Sequence, residues 1–181
     1  LRFFLIILFL VLLSGCISSI KEEEETIMKQ ISISSDAFEN GSSIPVDYTC
    51  DEDDRSPPLS WQGLPEGTRS IALIVDDPDA PAGTWVHWVI YNIPADSTGL
   101  PAAMPKDSSL NDGSLQGKND FGKIGYNGPC PPPGKPHRYF FKVYALDTML
   151  ELKNGVTKSQ LESAMKGHIL GQGSITGKYA R

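Results

Sequence analysis

Where the chain is regular, apolar and polar positions alternate with a period of two. Ile31 and Ile33 alternate with Gln30, Ser32 and Ser34, which predicts a half-buried strand starting near Met28. Ser70 to Asp76 and Thr84 to Ile93 are β-branched and aromatic runs bounded by Pro and Gly, and they read as two central strands. His137 to Asp147 is a longer run of the same kind, with ends that reach solvent. Phe38 to Trp61, broken by Gly41, Pro45, Pro57 and Pro58, predicts loop with short extended pieces such as Val46 to Cys50. The acidic patch Asp51 to Asp54 within it reads as a solvated turn. Pro101 to Gly134 carries too many prolines for a helix.

The period changes once, over Lys158 to Lys166, where Leu161, Ala164 and Met165 share a helical face. Thr157 can cap the start, Gln160 sits at the capping-box position, and Gly167 is a natural stop. His168 is placed to cap the last carbonyls. The stretch holding Gly171, Gly173 and Gly177 lacks the third glycine and the βαβ setting of a dinucleotide fingerprint, so it predicts a final strand crowded by neighbouring backbone. Strands outnumber helices, which points to a mainly β chain: an antiparallel two-sheet β-sandwich with a minor C-terminal helix.

The first residues are of another kind. Phe3 to Leu13 is an apolar run behind Arg2, too short against the roughly 20 residues of a membrane span and matching a secretory signal core. It ends in Leu13-Ser14-Gly15-Cys16, which resembles a prokaryotic lipoprotein signal, cut before a cysteine that is then lipidated. The expected organisation is a signal peptide over 1–15, lipidated Cys16 with an acidic tether over 16–26, and one domain over 27–181. The tether holds Lys21 and the run Glu22 to Glu25, whose like charges favour an extended spacer. The expected location is therefore extracytoplasmic, on the membrane. Setting Cys16 aside leaves Cys50 and Cys130, an even pair that an oxidising space could join.

Composition narrows the field further. With 17 Gly, 14 Pro and a net charge of −6 over 181 residues, the chain suits a turn-rich β architecture of one domain. It lacks the clustered basic face of a nucleic-acid reader. The absence of Cys-x-x-Cys spacing leaves a structural zinc site without support.

Two clusters concentrate candidate chemistry. The first runs from Asp76-Asp77-Pro78-Asp79-Ala80-Pro81 to Trp85, His87 and Trp88; its prolines fix φ and stiffen a loop that presents Asp77 and Asp79 at a strand end. The second, Gly122 to Tyr139, is rich enough in Gly and Pro for backbone N–H groups to approach a ligand closely, and it ends at His137. If His87 and His137 face one another, an Asp on each imidazole would fix its tautomer and favour its charged form. The result would be an anion receptor.

Asp-Pro-Asp-Ala-Pro, then Gly-x-x-x-His-Trp-x-x-x-Asn-Ile-Pro (Gly83 to Pro94), then Gly-Tyr-x-Gly-Pro-Cys-Pro-Pro and His-Arg-Tyr, resemble the phosphatidylethanolamine-binding protein family. More narrowly they are similar to its bacterial and archaeal Raf-kinase-inhibitor-like branch, over Ile31 to Arg181. The resemblance implies a β-sandwich with a small pocket for phosphate-like groups, including a phospholipid headgroup. It implies no catalytic machinery. By position it places Asp77, Asp79 and His87 in the first motif, and Gly128, Pro131, Pro132, His137 and Tyr139 as pocket wall and anion contacts. Animal members close the pocket with a C-terminal helix, whereas this chain ends soon after Gly177-Lys178-Tyr179, so closure is expected to differ here or be absent. Pro129-Cys130 also stands where animal members tend to have Ser and Gly, which removes N–H donors from that wall.

The leading expectation is a lipid-anchored binding protein for a small anionic, phosphate-containing ligand, with no enzyme activity, cofactor, metal or nucleic acid. A second reading is a protease inhibitor or other protein-interaction module acting through the loop Asp96 to Leu115. A third is a hydrolase with an Asp-His general base. Against that third reading, the sequence has no Gly-x-Ser-x-Gly elbow, no His-Glu-x-x-His and no Ser beside either His.

Overall fold

The computed structural model describes residues 28–181. The expected signal peptide, Cys16 and the acidic tether lie outside the described residues. Among the described residues, no helix is long and apolar enough to cross a membrane.

Among the described residues the strands are β1 (Lys29–Gln30), β2 (Ser32–Ser34), β3 (Leu59–Gln62), β4 (Ser70–Asp77), β5 (Trp85–Pro94), β6 (Gly99–Leu100), β7 (Leu115–Gln116), β8 (His137–Leu146) and β9 (Ile169–Tyr179), with one α-helix, α1 (Lys158–Met165), between β8 and β9. Six strands form a large sheet in the order β1-β9-β8-β4-β5-β7, and β2-β3-β6 form a small one. The two-sheet, mainly β architecture is the one expected. Pairing is antiparallel except between β1 and β9, which run parallel. The strand predicted from Met28 is in fact two: after Gln30 the chain leaves the large sheet and joins the small one at Ser32.

Alternation along β4 explains the layering. Ile71, Leu73 and Val75 face the small sheet and share a core with Trp61, Trp88, Ile90, Tyr139, Phe141 and Val143. Ala72 and Ile74 face the other way, where Leu161 and Met165 of α1 and Leu150 cover them. The two adjacent carboxylates at the strand end divide in the same way. Asp76 turns to the helix side, where Lys142 and Lys158 both bond it, and Asp77 turns to the inner side. Thr157 and Gln160 form the capping box at the start of α1, as the sequence predicts.

Three local expectations are corrected. Val46–Tyr48 is a 3-10 turn, with Thr49 N–H donating to the Val46 carbonyl. His168 does not cap α1 with its side chain; its Nδ1 lies 2.8 Å from Asp147 Oδ1. Asp54 is far from a merely solvated turn residue, as its contacts below show.

Gly173 in β9 is required by its neighbour, because a Cβ there would lie 2.1 Å from the carbonyl oxygen of Ile31, where the chain passes from one sheet to the other. The outward edge of β9 is met in pieces. Ile31 N–H donates to Gln172 O, Gly41 N–H to Thr176 O and Ile44 N–H to Lys178 O, while the Asn40 side chain accepts from Thr176 N–H.

Candidate functional site

The ends of β4, β5 and β8 on the inner face of the large sheet open into a cavity of about 220 Å³, lined by Asp77, Ala80 to Ala82, Trp85, His87, Phe121, Cys130 to Pro132, His137 and Tyr139. His87 reaches it through an irregularity. Val75 pairs with Trp88 and Asp76 with Val86, so His87 is an extra residue on β5. With Trp88 facing the core, strict alternation would turn His87 toward the helix layer. The bulge turns it into the cavity instead, a common use of such irregularities.

His87 is buried, 2 % exposed. Its Nδ1 lies 2.7 Å from the Asn127 carbonyl, and its ring is edge-on to Tyr139 at 5.1 Å and to Phe121 at 5.3 Å between centroids. Burial outweighs these hydrogen-bonding and charge contributions and holds its pKa below the usual 6.5. His137 differs: its Nδ1 lies 2.7 Å from Asp77 Oδ2. The other oxygen of Asp77 accepts the Asp79 N–H at 2.8 Å. The expectation of an Asp on each imidazole therefore holds for His137 alone.

Tyr139 is 1 % exposed; its hydroxyl lies beside the Asp77 carboxylate and the Cys130 N–H but makes no hydrogen bond of good geometry among the described residues. Burial, and then the Asp77 carboxylate, push its pKa upward. The hydroxyl borders the cavity.

Two residues expected at the ligand are placed elsewhere. Asp79 does not line the cavity; it grips the Arg138 guanidinium with both oxygens, at 2.7 and 2.8 Å, and also accepts the Arg138 N–H. That pairing holds its carboxyl down at about 2. Gly128 does not line the cavity either. Its N–H is spent on Asp54 Oδ1 at 2.6 Å, and a Cβ there would lie 2.2 Å from the Tyr48 carbonyl oxygen. Pro131 and Pro132 do form wall, next to Cys130, whose sulfur is bonded to that of Cys50.

The family model for phosphatidylethanolamine-binding protein matches residues 34–180. The chain belongs to the phosphatidylethanolamine-binding protein family. A UPF0098 protein from Methanothermobacter thermautotrophicus is 55 % identical over 145 residues, covering 80 % of this chain and 95 % of that one. A second, from Pyrococcus horikoshii, is 47 % identical over 170 residues, covering 92 % and 82 %. Among solved structures, Escherichia coli YbcL superposes with a TM-score of 0.79 at 36 % identity, covering 84 % of this chain and 99 % of its own. A phosphatidylethanolamine-binding protein homologue from Chlamydia trachomatis gives 0.77 at 39 % identity, with the same coverage.

In this member of the phosphatidylethanolamine-binding protein family, the residue the sequence hides is Asp54. It stands at φ +51, a conformation uncommon outside glycine. From there its carboxylate accepts from Gly128 N–H, from Asn127 Nδ2 at 2.8 Å and from Lys106 Nζ at 2.8 Å. Asn119 supports the same loop, donating to the Asn127 side chain and the Gly125 carbonyl. Together they fix the Asn127 carbonyl on which His87 rests. Asp54→Ala orphans those donors, so a loss of about 1–3 kcal/mol is expected in urea unfolding. An unchanged midpoint would show that Asp54 is dispensable. No spacing in the sequence ties residue 54 to residue 127; only the acidic patch draws the eye there.

Proposed function

We propose that the cavity binds a small phosphate-bearing anion, and that the chain is a binding protein, held outside the cytoplasm by lipid on Cys16, with no chemistry of its own. The observation that carries this reading is the buried Tyr139 hydroxyl, with no hydrogen bond of good geometry among the described residues, beside two imidazoles in a cavity of ligand size. Tyr139 can donate to an anion oxygen, and His137, held on Asp77, can donate from Nε2 when protonated. The family name points to the same ligand class. The bonded Cys50 and Cys130 support an oxidising compartment.

Thermal unfolding with a panel of phosphorylated compounds tests the proposal. A ligand at about 100 times its Kd stabilises by about 2.7 kcal/mol, which for a domain of this size raises the midpoint by roughly 5–10 °C. The rise should vanish in His87→Ala and in His137→Ala. A panel that leaves the wild-type midpoint unmoved would remove the reading.

A further inference from the structure

The bridge between Cys50 and Cys130 stands at the surface. Both cysteines are exposed, although the residues before them, Thr49 and Pro129, are buried. A thiolate from solution can therefore approach the bond, and exposed disulfides are the labile ones. The two sulfurs do not stand in the same field. Arg181 Nη1 lies 3.9 Å from Cys130 Sγ. Arg181 is held there from two sides, because its guanidinium pairs with Asp51 Oδ1 at 3.0 Å and its carbonyl accepts the Gly134 N–H at 3.1 Å. Cys50 instead precedes the run Asp51-Glu52-Asp53, which is exposed throughout. Negative charge is thus favoured on Cys130 Sγ and disfavoured on Cys50 Sγ, and a disulfide breaks toward the sulfur that leaves as the more stable thiolate.

The protein around the bridge is built to hold when the bond opens. Cys50 N–H donates to the Pro129 carbonyl at 3.1 Å, and the Tyr126 hydroxyl donates to the Tyr48 carbonyl at 2.7 Å. Asp54 accepts from the Gly128 N–H at 2.6 Å and from the Asn127 amide at 2.8 Å. These bonds join the same segments, 48–54 and 126–130, that the bridge joins. An opened pair is kept side by side, so Cys130 stays where it can close the bond again.

We propose that Cys50–Cys130 is a thiol-exchange site, at which the thiolate of a small or peptide-borne thiol attacks Cys50 Sγ and leaves the folded chain thiolated on Cys50. A bond forms between the incoming sulfur and Cys50 Sγ; the original S–S bond breaks, and its electron pair stays on Cys130 Sγ as a thiolate beside Arg181. One disulfide and one thiolate are consumed and one of each is made, so the step needs no outside oxidant or reductant. In the reverse step Cys130 attacks Cys50 Sγ and expels the thiol. The acidic run beside Cys50 sets the class of thiol: a positively charged one is drawn in and a carboxylate-bearing one is repelled, over a range of about 8–10 Å at ordinary salt.

The test incubates the purified chain, folded and oxidised, with cysteamine, 2-mercaptoethanol or mercaptoacetate at matched thiolate concentration and low ionic strength. Free thiols are trapped with N-ethylmaleimide before peptide mass spectrometry. The incoming thiol should be found on Cys50 and the maleimide on Cys130, with the reverse pattern at least about tenfold rarer, while near-UV circular dichroism stays that of the folded chain. Rates should fall in the order cysteamine, 2-mercaptoethanol, mercaptoacetate, and should converge in about 1 M salt, where the screening length is about 3 Å. Arg181→Gln should slow opening about threefold or more and spread the adduct over both cysteines. An adduct mainly on Cys130, a bridge that opens only as the near-UV signal is lost, equal rates for the three thiols at low salt, or an Arg181→Gln variant with wild-type rate and pattern would each overturn the assignment.

Discussion

Replacing Cys50 and Cys130 together by serine is expected to lower the unfolding free energy by about 2–4 kcal/mol, a fall of roughly 5–15 °C in midpoint. The bridge spans 80 residues of sequence, including β3, β4, β5, β6 and β7. Opening it frees a long loop in the unfolded chain, whose gain in entropy is the main cost in the chain-entropy account. In the folded state the same bond ties the cavity wall at Cys130 to the turn before Asp54, where Cys50 N–H also donates to the Pro129 carbonyl. Loosening that tie should affect the site as well as the fold. Wild-type protein treated with dithiothreitol should reproduce the double variant in both respects. Equal midpoints with and without reductant would show that the bridge contributes nothing to stability.

Trp88→Ala is expected to cost about 3–5 kcal/mol, the range for removing a large aromatic side chain from a core that only partly collapses. Trp88 is fully buried, edge-on to Tyr126 at 5.7 Å, and its Nε1 donates to Gln116 Oε1 at 2.6 Å. Gln116 in turn donates to the Pro105 and Asp107 carbonyls, so the indole anchors both the core and the loop beyond β6. Trp88→Phe, which keeps most of the volume and loses the hydrogen bond, should be much milder. Chemical denaturation of the two variants separates the effects, and similar losses would assign the energy to the hydrogen bond instead of to packing. Because Trp88 fixes β5 one residue from His87, its removal should also blur the bulge that aims the imidazole.

The strands were legible because alternation and β-branched runs are local signals: β4, β5 and β8 fall within a residue or two of the runs Ser70 to Asp76, Thr84 to Ile93 and His137 to Asp147. Thr157 and Gln160 marked α1 for the same reason. The turn at Val46–Tyr48 was missed because Pro45 and the short run behind it suit extended chain equally well. The site was legible in part. Asp77, His87, His137, Tyr139, Pro131 and Pro132 meet at one cavity, and their motifs announced them. Asp79 and Gly128 share those motifs but serve the wall from behind, one by gripping Arg138 and the other by letting Tyr48 pass close. Nothing in a motif tells a residue that touches the cavity from one that shapes it. The bulge at His87 was equally hidden, since pairing register depends on the partner strand. Without it, even parity along β5 sends the imidazole to the wrong layer.

The piecemeal cover along β9 has a consequence for the molecule among its neighbours. An eleven-residue strand whose outer neighbour, β1, pairs with only two of its residues would be a template on which a second chain could build by strand addition. Here successive outward groups are already taken: Gln172 by Ile31, Thr176 by Asn40 and Gly41, and Lys178 by Ser42 and Ile44. Only the stretch about Ser174 lies between them, shorter than a strand needs to take hold. At the opposite margin β7 offers two residues, Leu115–Gln116. The long β9 is therefore a poor template for fibrous growth, however crowded the chains become.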